Sequence, residues 1–145
     1  MTRLLRIGLA ALAVPATAAL LLQAPAPAAT TRQPSVVLKL SARAHLSADR
    51  KTANVKVTIT CNNAKPAPIT ATVAQNRGSL TVHGHGASGA GYKCNGRSQT
   101  GVVPVKAGPG QHFQPGGASA TADVTVTGSD GTPVSGHDAR DIVLK

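Results

Sequence analysis

From residue 53 to residue 61 the chain reads A-N-V-K-V-T-I-T-C, with apolar and polar positions in strict alternation. Ala53, Val55, Val57, Ile59 and Cys61 share one side of an extended chain, and Asn54, Lys56, Thr58 and Thr60 share the other. Successive side chains of a strand point to opposite faces, so this pattern predicts a strand with one buried and one wet face. Residues 36–46 repeat it, with Val36, Leu38, Leu40, Ala42, Ala44 and Leu46 inward and Val37 the one apolar exception on the outer side. They predict one long strand, or two short ones kinked near Ser41. Polar residues 47–51 predict a turn, which would make these two strands antiparallel.

Beyond residue 61 the pattern continues in shorter pieces. Residues 62–68 hold two asparagines and two prolines, which interrupt a ladder. Ile69, Ala71 and Val73 form the next buried face, closed by a tight turn at Asn76, Arg77 and Gly78. Leu80 and Val82 mark a short strand, and the four glycines of residues 84–91 predict a loop. Tyr92, Lys93 and Cys94 predict a strand end, Asn95-Gly96 a hairpin turn, and residues 97–106 the return strand. Pro104 within that strand predicts an edge or a bulge. Residues 118–127 alternate cleanly, with Ala118, Ala120, Ala122, Val124 and Val126 inward. Ser129, Asp130 and Gly131 turn the chain into a final short strand at residues 142–144. Asp138, Arg140, Asp141 and Lys145 suit that segment to a sheet edge. No stretch is helically periodic over more than a turn. Seven to eight short strands with turn signals between them predict an all-β antiparallel sandwich.

Residues 1–28 read as an export signal. Arg3 and Arg6 form a positive start, residues 7–22 an apolar run broken only by Pro15 and Thr17, and Ala26-Pro27-Ala28 a small-residue cleavage site. Cleavage is expected near Ala28 or Ala29. The run is shorter than the ~20 residues a membrane-spanning helix needs, and no later apolar segment follows, so no transmembrane anchor is expected. Residues 29–35 form a polar leader, and residues 36–145 suffice for a single domain. The product would be secreted.

One Phe, one Tyr and no Trp leave the core to Ala and Val. Aromatic side chains make the largest single burials, so this core would be thin and a covalent staple valuable. Two cysteines in an exported chain allow one intramolecular bridge, Cys61–Cys94.

Around that pair the chain resembles immunoglobulin-like domains. Tyr92 stands two before the second cysteine, as in their tyrosine corner, and Val57 to Cys61 is similar to their first-cysteine strand. The Trp of that pattern is missing, and Ser88 stands where Asp is usual. The layout also resembles small uncharacterised secreted domains of high-GC bacteria. They share a V-x-V-x-C strand, one bridge and an F-x-P-G-x-A segment, here Phe113, Pro115, Gly116 and Ala118. These resemblances imply an Ig-like sandwich with one disulfide and an extracellular compartment. A fainter likeness, through Val36-Val37-Leu38-Lys39-Leu40, the Cys61 strand and Pro66 to Pro68, is to secreted subtilisin-inhibitor proteins.

Fifteen Lys and Arg against five Asp give a net charge of +10, or +8 without Arg3 and Arg6. Such a surface attracts polyanions. The basic residues form no run of five or six, so no specific nucleic-acid binding is expected. Arg77, Lys93 and Arg97, flanking the 84–91 loop in sequence, are candidate contacts for an anionic envelope polymer or another extracellular protein.

Catalytic signals are missing. Asp49 and Asp130 sit in turn sequences, no G-x-S-x-G elbow occurs, and both cysteines are committed to the bridge. His83-Gly84-His85 places two imidazoles on one side of an extended segment. A zinc site needs three or four ligands, so no metal or cofactor is expected. The composition therefore predicts a non-enzymatic binding or structural module of the envelope or extracellular space. Its rivals are a protease inhibitor presenting residues 62–68 or 84–91, and a metal-binding protein using His83 and His85.

Overall fold

The computed structural model describes residues 32–145. The export signal of residues 1–28, its cleavage site and the start of the polar leader lie outside them. Eight strands are present: β1 (Ser35–Leu46), β2 (Thr52–Asn62), β3 (Ala64–Lys65), β4 (Thr70–Arg77), β5 (Leu80–Ala87), β6 (Asn95–Ala107), β7 (Gly116–Gly128) and β8 (Pro133–Leu144). The all-β expectation holds, but the sandwich does not. The strands follow one another in the order β7-β4-β5-β6-β2-β1-β8, and β8 pairs back onto β7. One sheet thus closes on itself as a seven-stranded β-barrel, with the two-residue β3 added beside β4 on β7. The immunoglobulin-like arrangement is overturned by this closure.

β8 makes the difference. It is no short edge strand: it pairs with β7 from Pro133 to Leu144 and runs parallel to β1 at Arg43 and Ala44. The residues in phase with its buried Gly136, Ile142 and Leu144 are Val134, Asp138 and Arg140, of which Asp138 is half-buried and Arg140 exposed, and these two charges at the centre hide the apolar period. Those charges have a structural task. β1 shifts register between Leu40 and Ala44, where it advances four residues to β2's two. The shift is the break expected near Ser41, and it carries Ala42 to the surface instead of the core. The Leu40 N–H donates to Asp138 Oδ2 at 2.7 Å, and Arg140 Nη1 donates to the Leu40 carbonyl at 2.9 Å. Side chains of β8 thus stand in for the ladder that the bulge interrupts. Past the bulge, backbone bonds resume, from the Leu46 N–H to the Lys145 carbonyl and from the Lys145 N–H to the Ala44 carbonyl.

The barrel explains the composition. A ring of about eight strands encloses only enough space for side chains, and Ala and Val suffice to fill it. Ala53, Val55, Val57, Ile59 and Cys61 are all buried, as are Ala118, Ala120, Ala122, Val124 and Val126. Phe113, in the loop between β6 and β7, is fully buried. Its N–H donates to the Arg50 carbonyl at 2.9 Å, so the loop plugs one end of the barrel. Gln75 is the one buried polar side chain among the described residues, and it clamps the plug. Its Oε1 accepts from the Gln114 N–H at 2.9 Å and its Nε2 donates to the Gln114 carbonyl at 2.8 Å.

The opposite end carries the cystine. Cys61 on β2 and Cys94 just ahead of β6 are joined, with Cα atoms 4.5 Å apart. Asn95-Gly96 is not a hairpin turn. Both residues begin β6, and the extra residue between the Thr60–Ser98 and Asn62–Asn95 pairs makes a bulge. Gly96, at φ +78°, takes the left-handed conformation that such a bulge requires. Tyr92 to Cys94 lie outside any strand. The tyrosine corner is overturned too. Tyr92 Oη donates to the Ala67 carbonyl at 2.7 Å and accepts from the Ala67 N–H at 3.0 Å, pinning a distant segment.

The expected 84–91 loop is half strand. β5 runs on to Ala87, because Gly84 and Gly86 face inward where β5 presses on β6. A Cβ on Gly84 would lie 2.7 Å from both the Lys106 carbonyl oxygen and the Phe113 ring, and one on Gly86 would collide with the Pro104 carbonyl. Glycine in a strand often marks such a close backbone approach.

Candidate functional site

Two surface features follow from this architecture. The first is an open seam. β5 and β6 pair only at Gly84–Ala107 and His85–Lys106, then diverge toward the cystine end. The inward residues Gln99, Gly101, Val103 and Val105 of β6 sit opposite β2 residues Ile59, Val57, Val55 and Ala53. The Ala107 N–H bonds to Lys51 on the β2 side, while the Lys106 and Pro104 carbonyls face β5. By this alternation the N–H and C=O groups of Thr100 and Val102 face the seam. Pro104 sits on the same side, where its missing N–H removes no bond to β2; β6 nevertheless lies between β5 and β2, so it is an interior strand with one unpaired stretch and not the expected edge.

A cleft of about 390 Å³ fills the seam. Buried Ile59 and Ile69 lie at its base, Gln99 to Val102 form one wall, and Ser88, Gly89, Gly91 and Tyr92 form the other. The second wall is well anchored. Besides the cystine and Tyr92, the Ser88 N–H donates to the Ile69 carbonyl at 2.8 Å. The Lys93 N–H donates to Gln99 Oε1 at 3.0 Å, and Gln99 Nε2 returns a bond to the Lys93 carbonyl.

The second feature is a segregation of charge. Strands β1 to β6 carry Lys39, Arg43, Lys56, Lys65, Arg77, Arg97 and Lys106 and no acid. The three strand acids, Asp123, Asp138 and Asp141, all lie on β7 and β8. Asp138 serves Leu40, and Asp123 Oδ1 lies 2.6 Å from His137 Nδ1. The remaining two acids hold turns. Ser47 Oγ and then the Lys51 N–H bond to the Asp49 carboxylate and draw its pKa below the usual value; the Thr132 N–H does the same for Asp130. These are capping carboxylates.

The candidate residues named from the sequence are partly separated. Lys93 and Arg97 sit beside the cleft at the cystine end. Arg77 ends β4 at the plugged end, where its Nη1 donates to the His112 carbonyl at 3.3 Å, so it belongs to no site with Lys93. His83 and His85 are both exposed on the outer face of β5, opposite Ala74 and Thr72. Among the described residues, no group of three His, Cys, Asp or Glu side chains could hold a metal ion. Residues 62–68, a candidate inhibitory loop, are tied down by β3 on β7 and by Tyr92 at Ala67.

Gln99, Thr100 and Val102 went unnoticed from the sequence. The available signal was Val102, an apolar residue on the polar side of β6, which is 47% exposed. Comparison with protein-family models, with curated proteins and with solved structures finds no match to this chain.

Proposed function

We propose that this chain is an extracytoplasmic, non-enzymatic binding module whose β1–β2–β6 wall receives an anionic polymer. The observation that carries the reading is the acid-free surface of that wall. Lys39 lies opposite Thr58, which lies opposite Thr100; two residues along, Lys56 lies opposite Val102; Lys106 lies opposite Thr52. With strands ~4.8 Å apart and residues ~3.4 Å apart, Lys39 and Lys56 stand roughly 8 Å from one another. Between them are threonines and no carboxylate, so an approaching anion meets attraction and hydroxyl donors only. The cystine and the leader-like opening residues favour an oxidising compartment outside the cytoplasm.

The test is retention on immobilised long-chain polyphosphate at low ionic strength. Replacing Lys39, Lys56 and Lys106 together with Gln should weaken binding about tenfold or more and flatten its dependence on salt, since each lost contact releases fewer counterions. A control with Arg32, Lys65 and Lys145 changed to Gln removes the same charge elsewhere and should bind nearly as the unaltered protein does. Equal loss in both variants would mean that net charge alone governs retention, which defeats the assignment to this wall.

A further inference from the structure

We infer that the open edge of β6 is a strand-addition site for an extended, acid-flanked segment of another protein. This does not rest on the polymer reading, and either can fail alone.

The argument begins with the backbone. From Ser98 to Val102, β6 is paired on its β2 side and has no strand partner on the other among the described residues. Thr100 and Val102 turn their N–H and C=O groups toward that free side. An unpaired row of such groups is a template for one more strand, and proteins usually bury or blunt it. Here the covering segment, residues 88–94, stays across a cleft. It touches β6 through the Gln99 side chain and no ladder.

The cleft meets the side-chain requirement of an added strand. Alternate residues of such a strand would point inward to Ile59, Ile69 and Tyr92, where a Val-sized or Leu-sized group fits the available 390 Å³. The residues between would point outward beside exposed Val102. Both walls are held rigidly, by the β2 ladder on one side and by the cystine and the Tyr92 bonds on the other. A preformed groove spares the ligand the cost of ordering it.

Charge selects the flanks. Lys56 stands one strand away on β2, opposite Val102, and Lys93 and Arg97 lie in the chain beside the cleft-lining Tyr92 and Gln99. No acid occurs on β2, β4, β5 or β6 to oppose them. A segment with apolar alternate residues and Asp or Glu at either end matches both the groove and its rim.

The probe is a five-residue blocked peptide, Asp-Val-Thr-Val-Asp, titrated into the isotope-labelled protein and followed by amide NMR. The amides of Thr100 and Val102 should shift most and then exchange more slowly with solvent at saturation. Changing Val102 to Pro removes an edge donor, and the affinity should fall tenfold or more. Val102→Asp keeps the donor at a surface position and should also weaken this acidic peptide tenfold or more, which gives a readout should the proline variant misfold. A Lys-flanked peptide of the same core should bind at least tenfold more weakly. The inference is overturned if the 98–102 amides do not move, if both Val102 variants bind as the unaltered protein does, or if the Lys-flanked peptide binds equally well. It is equally overturned if those amides shift with protein concentration alone, because the edge is then occupied by a second copy.

Discussion

Changing Phe113 to Ala is expected to lower the thermal unfolding midpoint by about 10–20 °C. Truncating a fully buried Phe typically costs about 3–5 kcal/mol, the transfer of the ring plus the cavity it leaves. For a domain of this size, each kcal/mol moves the midpoint by roughly 3–5 °C. The surroundings of Phe113 place it at the high end. It is completely buried, and it is one of only two aromatic residues in the chain. Its loop is fixed by the Arg50 carbonyl and the Gln75 amide, so the cavity cannot easily collapse. Phe113→Leu, which keeps most of the volume, should lose less than half as much. Thermal melts followed by circular dichroism decide the matter. A shift under about 3 °C for Phe113→Ala would show that residue 113 does not plug the barrel.

Replacing Cys61 and Cys94 together with Ala should be comparably destabilising. Closing a loop across 33 positions contributes roughly 3–4 kcal/mol in the chain-entropy model. That is a large share of the ~5–15 kcal/mol that holds a typical domain together. The structural consequence should be local. Residues 88–94 would keep only the Tyr92, Ser88 and Gln99 bonds, and limited proteolysis should cut there first. Phe113 and the cystine occupy opposite ends of the barrel. Their effects should therefore add to within about 0.5 kcal/mol in the combined variant, as distant sites do. A strongly non-additive result, or cleavage elsewhere, would mean that the cystine does not act on the 88–94 segment.

Strand pattern was the most legible part of this molecule. Alternation alone placed the buried faces of β2 and β7 correctly, because both strands keep period two without a charge on the inner side. The turns at residues 47–51 and 129–131 were equally readable from their polar and glycine residues. Topology was not legible. Closure depends on β8, whose Asp138 and Arg140 look like edge-strand residues until the β1 bulge reveals what they bond to. A sandwich and a narrow barrel also share one composition. Few aromatics and many valines suit either a thin layer between two sheets or the inside of a small ring.

Glycine misled in two opposite ways. Gly84 and Gly86 looked like a loop, yet they let β5 lie against the β6 backbone. Asn95-Gly96 looked like a hairpin, yet the left-handed glycine serves a bulge inside a strand. The same residue preference underlies both geometries, and only the pairing partner tells them apart. The candidate site was hidden for a related reason. The Thr100–Val102 edge is defined by the absence of a neighbour along part of β6, and no local pattern records that. The basic residues were visible one by one. That β1 to β6 carry basic residues and no acid, while Asp123, Asp138 and Asp141 gather on β7 and β8, emerges only once the strands are arranged in space.

The barrel itself rests on the junction between β1 and β8, where the ring of strands closes. Solution NMR tests that junction directly, through nuclear Overhauser contacts between Ala44 and Leu144 and through the exchange rates of the Leu46 and Lys145 amides. A closed barrel gives strong contacts across the Ala44–Leu144 pair and slow exchange at both amides, each of which is hydrogen-bonded across the junction. Rapid exchange at Leu46 and Lys145 with no contact between residues 44 and 144 would mean two open sheet edges, and the barrel would be wrong.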